Sequence, residues 1–186
     1  MISLAALWLP IVVSAVLVFI VSSILHMLLP WHKNDFPALP QEDAAMNALR
    51  PLAIPPGEYM VPRAGSMAAL KSPEFLERLN RGPVFILRMM PNGMRSMGPL
   101  LGQWFVFLLV VSILAALIAQ QALGVGAPSH RVFHVIALSS FLAYGLAYWP
   151  LSIWYARPWG TTVKATIDGI IYGIVAGLVF VWLWPK

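Results

Sequence analysis

Apolar residues in this chain gather into four long runs. The runs extend from Leu4 to Leu29, from about Leu100 to Leu123, from about Val132 to Trp149 and from about Ala165 to Trp184. A hydrocarbon core of about 30 Å takes about 20 residues of helix. Polar interruptions are sparse: His26 is the only titratable group in the first run, and Gln103, Ser112, Gln120 and Gln121 are the polar residues of the second. The pattern predicts an all-α integral membrane protein of four transmembrane helices. The first run has no basic residue before it and no small-x-small site after it, and it outlasts the apolar stretch of a secretory signal. It reads as a retained helix bent at Pro10.

Residues 31–98 break the apolar pattern and form an extramembrane insert. Pro37, Pro40, Pro51, Pro55 and Pro56 make its first part a tether, with room for one short helix at about Gln41–Leu49. A small unit at about 58–90 follows: Glu58–Arg63 reads as a strand and Gly82–Met90 as a second. Between them Ser72-Pro73-Glu74 starts a short helix with a cap, a first-turn proline and an acid at the positive helix end. Such a strand–helix–strand unit is too small to bury a core of its own.

Composition sharpens this division. The 186 residues are 60% hydrophobic and 10% charged, where a soluble domain is about 25% charged. That excludes a soluble enzyme, and the absence of cysteine excludes a disulfide scaffold. The insert holds eight of the 12 basic residues and six of the seven acidic ones. Outside it stand only Arg131, Arg157, Lys164, Asp168 and Lys186. The eight tryptophans lie at or near the ends of the runs, as an aromatic belt does at headgroup depth. With four spans, the insert and the 150–164 connection share the more basic side. The positive-inside rule places them in the cytoplasm and both termini in the periplasm.

The fourth run and its approach carry the most chemistry. Ala165, Gly169, Gly173 and Gly177 recur every four residues and form one small-residue stripe, the packing surface of helices in lipid. Two readings follow: the stripe packs within the chain, against Ser139, Ala143 and Ala147 or Gly98 and Gly102, or it docks on another subunit. Lys164, Asp168 and Tyr172 run beside it at the same spacing. An ionisable group inside the hydrocarbon is costly unless paired. Asp168 therefore either pairs structurally, near a helix N-terminus with Lys164 or Arg157, or serves a proton or ion path, or contacts a partner.

Other candidates are weaker. Arg78, Arg81, Arg88 and Arg95 fit contact with anionic lipid headgroups, not nucleic acid. Met89, Met90, Met94 and Met97 are soft ligands without a cysteine, and also ordinary filler at a membrane surface. His130 and His134 have i, i+4 spacing, but no carboxylate or cysteine accompanies them, and His26 and His32 end the first helix on the other side of the predicted membrane. No metal or cofactor is assigned, and no hydrolase, kinase, nucleotide or zinc motif occurs.

Two stretches, HMLLPWHKNDFPALPQEDAAM (26–46) and SIWYARPWGTTVKATIDGIIYG with a terminal WLWP (152–173 and 182–185), resemble a family of small four-span bacterial inner-membrane proteins with no assigned activity. PPGEYMVP and SPEF fit the same pattern, so the resemblance covers most of the chain. It implies a bacterial inner membrane and transfers no catalytic residue. The leading expectation is a non-catalytic accessory or structural subunit that packs against other membrane subunits of a bioenergetic complex, or against itself. The competing one is a small transporter or conducting oligomer using Asp168, Lys164 and Tyr172. A third, an enzyme acting on lipid or quinone, rests only on the arginine-rich face.

Overall fold

The computed structural model describes residues 2–186 and is mostly helical. The chain enters through a 3-10 turn at Leu4–Leu7, where the Ser3 hydroxyl accepts from the Ala6 N–H, and continues as α1, Trp8–Ser23. Pro10 falls in the first turn of α1, where its missing N–H has no partner to lose. Beyond Ser23 the helix widens into a π turn at Ile24–Leu28. Leu29 is then extended, because a residue before proline avoids the α region, and Pro30–His32 forms a 3-10 turn. The long helices that follow are α4, Met97–Ala122; α5, Ser129–Tyr144; and α7, Trp159–Leu183. A 3-10 turn at Leu146–Tyr148 leads from α5 into the short α6, Trp149–Tyr155.

Four segments are long and apolar enough to cross a membrane: Leu4–Leu28, Met97–Ala122, Ser129–Tyr155 and Trp159–Leu183. The third, interrupted at Gly145, is the least apolar. Two boundaries differ from the sequence reading. The third run starts at Ser129 and continues to Tyr155, because Pro150 sits in the first turn of α6, a position proline tolerates. The fourth starts at Trp159, directly after Pro158, six positions ahead of Ala165. The connection between them is therefore Ala156–Pro158, with Ala156 in the left-handed region at φ 54°.

Ser14, Ser112, Ser140, Thr162 and Asp168 are buried, while Val106, Val110, Leu114, Leu138, Ile170 and Leu178 face outward. Water-soluble monomers rarely expose contiguous apolar surface on this scale. Inside, Leu7, Val18, Leu108, Ile136 and Phe180 are closed off completely. The helix α7 lies along α5 and touches α1, and α4 packs on α1 and α5. A 2.9 Å hydrogen bond between the Ser14 and Ser112 hydroxyls ties α1 to α4.

Residues Ala38–Arg95 form a second compact unit. It holds α2, Glu42–Leu49; β1, Gly57–Val61; α3, Pro73–Arg81; and β2, Phe85–Met89. The strands pair antiparallel, with Tyr59 opposite Leu87 and Val61 opposite Phe85. The Ser72 hydroxyl caps α3 by accepting from the Phe75 N–H, and Gly82 at φ 60° ends it. Pro62 and Phe75 are its only buried residues. The insert is shorter than 31–98: residues up to Pro37 belong with the long helices, as does everything from Ser96 onward. The cause is the fold-back at Pro30, which returns Trp31–Asp35 to α7.

Candidate functional site

The fold-back assembles the polar cluster of the helical unit. His26 lies in the π turn, where one extra residue per turn redirects a side chain, a device common at functional sites. After the reversal at Pro30, the His32 ring stacks on the His26 ring at 4.1 Å between centroids and 12° between planes. The Trp31 indole N–H donates to Asp168 Oδ1 at 3.1 Å. The His32 Nδ1–H donates to Asp35 Oδ2 at 2.7 Å, and Lys164 Nζ reaches Asp35 Oδ1 at 2.7 Å. Burial raises the Asp35 pKa, but the hydrogen bonds from Lys164 and His32 outweigh it and hold the carboxyl below its ordinary value. Asp35 is thus a carboxylate, and it holds a proton on His32 Nδ1.

The other nitrogen of His32 is the unusual atom. His32 Nε2 is buried and 2.9 Å from Asp168 Oδ2, yet forms no hydrogen bond, because a proton on the ring would not point at that oxygen. His26 is similarly anchored, with Nδ1 3.0 Å from the Ser22 carbonyl, to which it can only donate, and 3.5 Å from the Tyr172 hydroxyl. His26, His32 and Asp168 each offer a ligand atom, and these atoms lie within 4.8 Å of one another. Two imidazoles and one carboxylate suit a divalent transition ion.

The cluster lines a cavity of about 780 Å³. Met27, Leu101, Trp104, Phe107, Ala143 and Ala147 supply apolar wall, and Arg157 is among the polar lining residues. Aromatic contacts continue the wall from Trp104 through Phe107 and Tyr144 to Tyr172, with centroids 5.4, 5.9 and 5.6 Å apart. The Trp104 indole N–H is fixed by the Ser22 hydroxyl at 2.9 Å. The Arg157 guanidinium sits 4.9 Å from the Tyr148 ring centre, and among the described residues no carboxylate pairs with it.

Several sequence expectations change here. Asp168 is 3% exposed and is the tenth residue of α7, nearly three turns inside, so the helix N-terminus does not account for it. Lys164 pairs with Asp35 and Arg157 with an aromatic face; neither neutralises Asp168, whose neighbours Trp31 and His32 come from the other end of the sequence. Tyr172 is buried one turn further along. The stripe is covered by α5 of the same chain: a Cβ at Gly169 would meet Gly145, at Gly173 the Ala137 carbonyl, and at Gly177 the Phe133 ring. Its partners are thus Phe133, Ala137, Phe141 and Gly145, not Ser139, whose hydroxyl turns to the Val135 carbonyl at 2.7 Å. Ala165 lines the cavity.

The remaining candidates stay apart from the site. Arg78, Arg81, Arg88 and Arg95 are exposed in the smaller unit or at its end, with Arg88 paired to Glu58 at 3.1 Å. His130 and His134 are exposed on α5, and Met90, Met94 and Met97 are also exposed. Sequence reasoning missed Trp31 and Asp35. The available signal was WHKND directly after the first apolar run, with His26 and His32 on either side of Pro30. Compared with family models, curated proteins and solved structures, the chain finds no match in any of the three.

Proposed function

We propose that this chain is a multi-pass protein of the bacterial inner membrane that binds a membrane-soluble amphiphile with an anionic head, the head at Arg157 and the chain in the cavity. The cavity carries the reading: about 780 Å³, within the range that holds a small organic ligand, lined mainly by apolar side chains with Arg157 and the His26–His32–Asp168 cluster among them. Arg157 supplies a cation with no carboxylate partner among the described residues, and such a group favours a carboxylate or phosphate. In this reading the second unit is cytoplasmic and both termini are periplasmic, as the distribution of Lys and Arg favours. Subunit docking loses its main motive, since α5 already covers the glycine stripe. Conduction through Asp168, Lys164 and Tyr172 would need polar groups along the bundle, and the charged cluster occupies one end.

The test is photo-crosslinking in vesicles with a long-chain carboxylic acid bearing a diazirine, against the corresponding alcohol. The acid is expected to label peptides containing Leu101, Phe107 or Ala143, with excess unlabelled acid competing and Arg157→Gln lowering the yield about tenfold. Equal labelling by acid and alcohol, spread over Ile170 and Leu178 on the outer face, would refute the reading. A reporter after Lys186 that is active only in the cytoplasm would overturn the topology.

A further inference from the structure

We infer that His26, His32 and Asp168 form a binding site for one divalent first-row transition ion, with coordination positions left open toward the cavity. The starting observation is a buried nitrogen without a partner. His32 Nδ1 is engaged by Asp35, while its Nε2 makes no hydrogen bond and stands 2.9 Å from an oxygen of Asp168. Both side chains are largely removed from water. A cation held between them would satisfy the nitrogen and the carboxylate together.

The geometry selects the kind of cation. With metal–ligand bonds of about 2.1 Å, donor atoms 2.9 Å apart subtend about 90° at the metal, the angle of adjacent ligands in an octahedron; a tetrahedral site would separate them by about 3.4 Å. Two histidines and one carboxylate leave coordination positions for water or ligand, and that donor set suits iron(II) and its neighbours.

The surroundings match those of a metal centre. Metal-bound imidazoles donate their second N–H to a carboxylate or carbonyl, which fixes the tautomer and raises basicity. His32 does so to Asp35 and His26 to the Ser22 carbonyl. The remaining oxygen of Asp168 accepts from the Trp31 indole, and Lys164 neutralises Asp35. Every outer partner of the three ligands is thus present, and each orients a ligand rather than competing for it. The inference stands on these three side chains. It does not need the cavity reading, in which Arg157 holds the anionic head.

The experiment uses the full chain in detergent, stripped with EDTA and titrated with cobalt(II) without added amphiphile. We expect one equivalent to bind with a Kd of about 1 µM or tighter, with the weak visible absorption of a five- or six-coordinate ion. His32→Ala and Asp168→Asn should each weaken binding at least about 30-fold, Asp35→Asn about 10–100-fold as an outer-partner loss, and His130→Ala/His134→Ala not at all. Gel filtration and thermal unfolding check each variant; if His32→Ala does not fold, Asp35→Asn and His26→Gln decide. Binding below about a tenth of an equivalent at 100 µM cobalt, wild-type affinity in both His32→Ala and Asp168→Asn, or loss only in the His130/His134 variant would each overturn the site. Crosslinking by the acid in EDTA reports the amphiphile reading separately. Labelling without cobalt binding defeats the metal site alone, and cobalt binding without labelling defeats the cavity reading alone.

Discussion

Gly169→Ala puts the helix seam under its most direct test, because two opposing effects of known size meet at one atom. A Cβ at Gly169 would lie 2.5 Å from both the Cα and the N of Gly145, about 0.9 Å short of the 3.4 Å at which ordinary contact begins. Both obstacles are backbone, so no rotamer change relieves them and α5 must separate from α7. Against this, Ala in a helix interior is favoured over Gly by about 0.5–1 kcal/mol. Overpacking with backbone displacement costs about 1–3 kcal/mol. The net expectation is a loss of about 1–2 kcal/mol. Gly102→Ala, in the interior of α4 with nothing within 4 Å of its added methyl, should be neutral or stabilising by up to about 1 kcal/mol. Gly177→Ala should fall between them, since the nearest atoms belong to the Phe133 ring, which can turn. Reversible unfolding of the purified protein in mixed micelles, followed by circular dichroism, measures all three. If Gly169→Ala is as stable as Gly102→Ala, the seam is looser than 2.5 Å implies and the explanation of the stripe as an intrachain packing surface fails.

Four further outcomes follow from the same structure. A double-mutant cycle on Ser14→Ala and Ser112→Ala should give a coupling of about 0.5–1.5 kcal/mol in the same unfolding assay, from their buried 2.9 Å hydrogen bond. Arg88→Ala should shift stability by less than about 0.5 kcal/mol, because the Arg88–Glu58 pair is 70% and 55% exposed and a surface ion pair contributes little. Trp184→Phe should cost about 1 kcal/mol of thermal stability, since the buried indole N–H donates to the Gly124 carbonyl at 3.1 Å and anchors the end of the chain to the α4–α5 turn. Trp31→Phe removes the indole donor to Asp168 Oδ1 and should lower cobalt affinity about tenfold, as read by the same titration, while leaving the fold intact.

The legible part of this protein was what depends on local composition. Four apolar runs announced four helices, because about 20 residues without charge have few other uses. The cap at Ser72-Pro73-Glu74 and the stop at Gly82 marked α3, because those residues act on the adjacent turn. The small-residue stripe could be read as a packing surface, but not its partner. What that partner is depends on the register between α5 and α7, which brings Gly145 opposite Gly169. Helix ends are not legible where low apolarity resembles a break: Trp159–Lys164 belongs to α7, whose start directly follows Pro158.

The sequence by itself therefore determined four helices long and apolar enough to cross a membrane and singled out Asp168 as the one acid outside the polar insert. Only the tertiary structure decided what Asp168 meets. Its neighbours Trp31 and His32 lie more than a hundred positions away and had been counted with the insert, because charge density alone cannot show that the chain turns back at Pro30. Hydrophobic patterning is a property of each segment taken singly, whereas the pairing of an imidazole nitrogen with a distant carboxylate depends on where two segments end and how closely their helices pack.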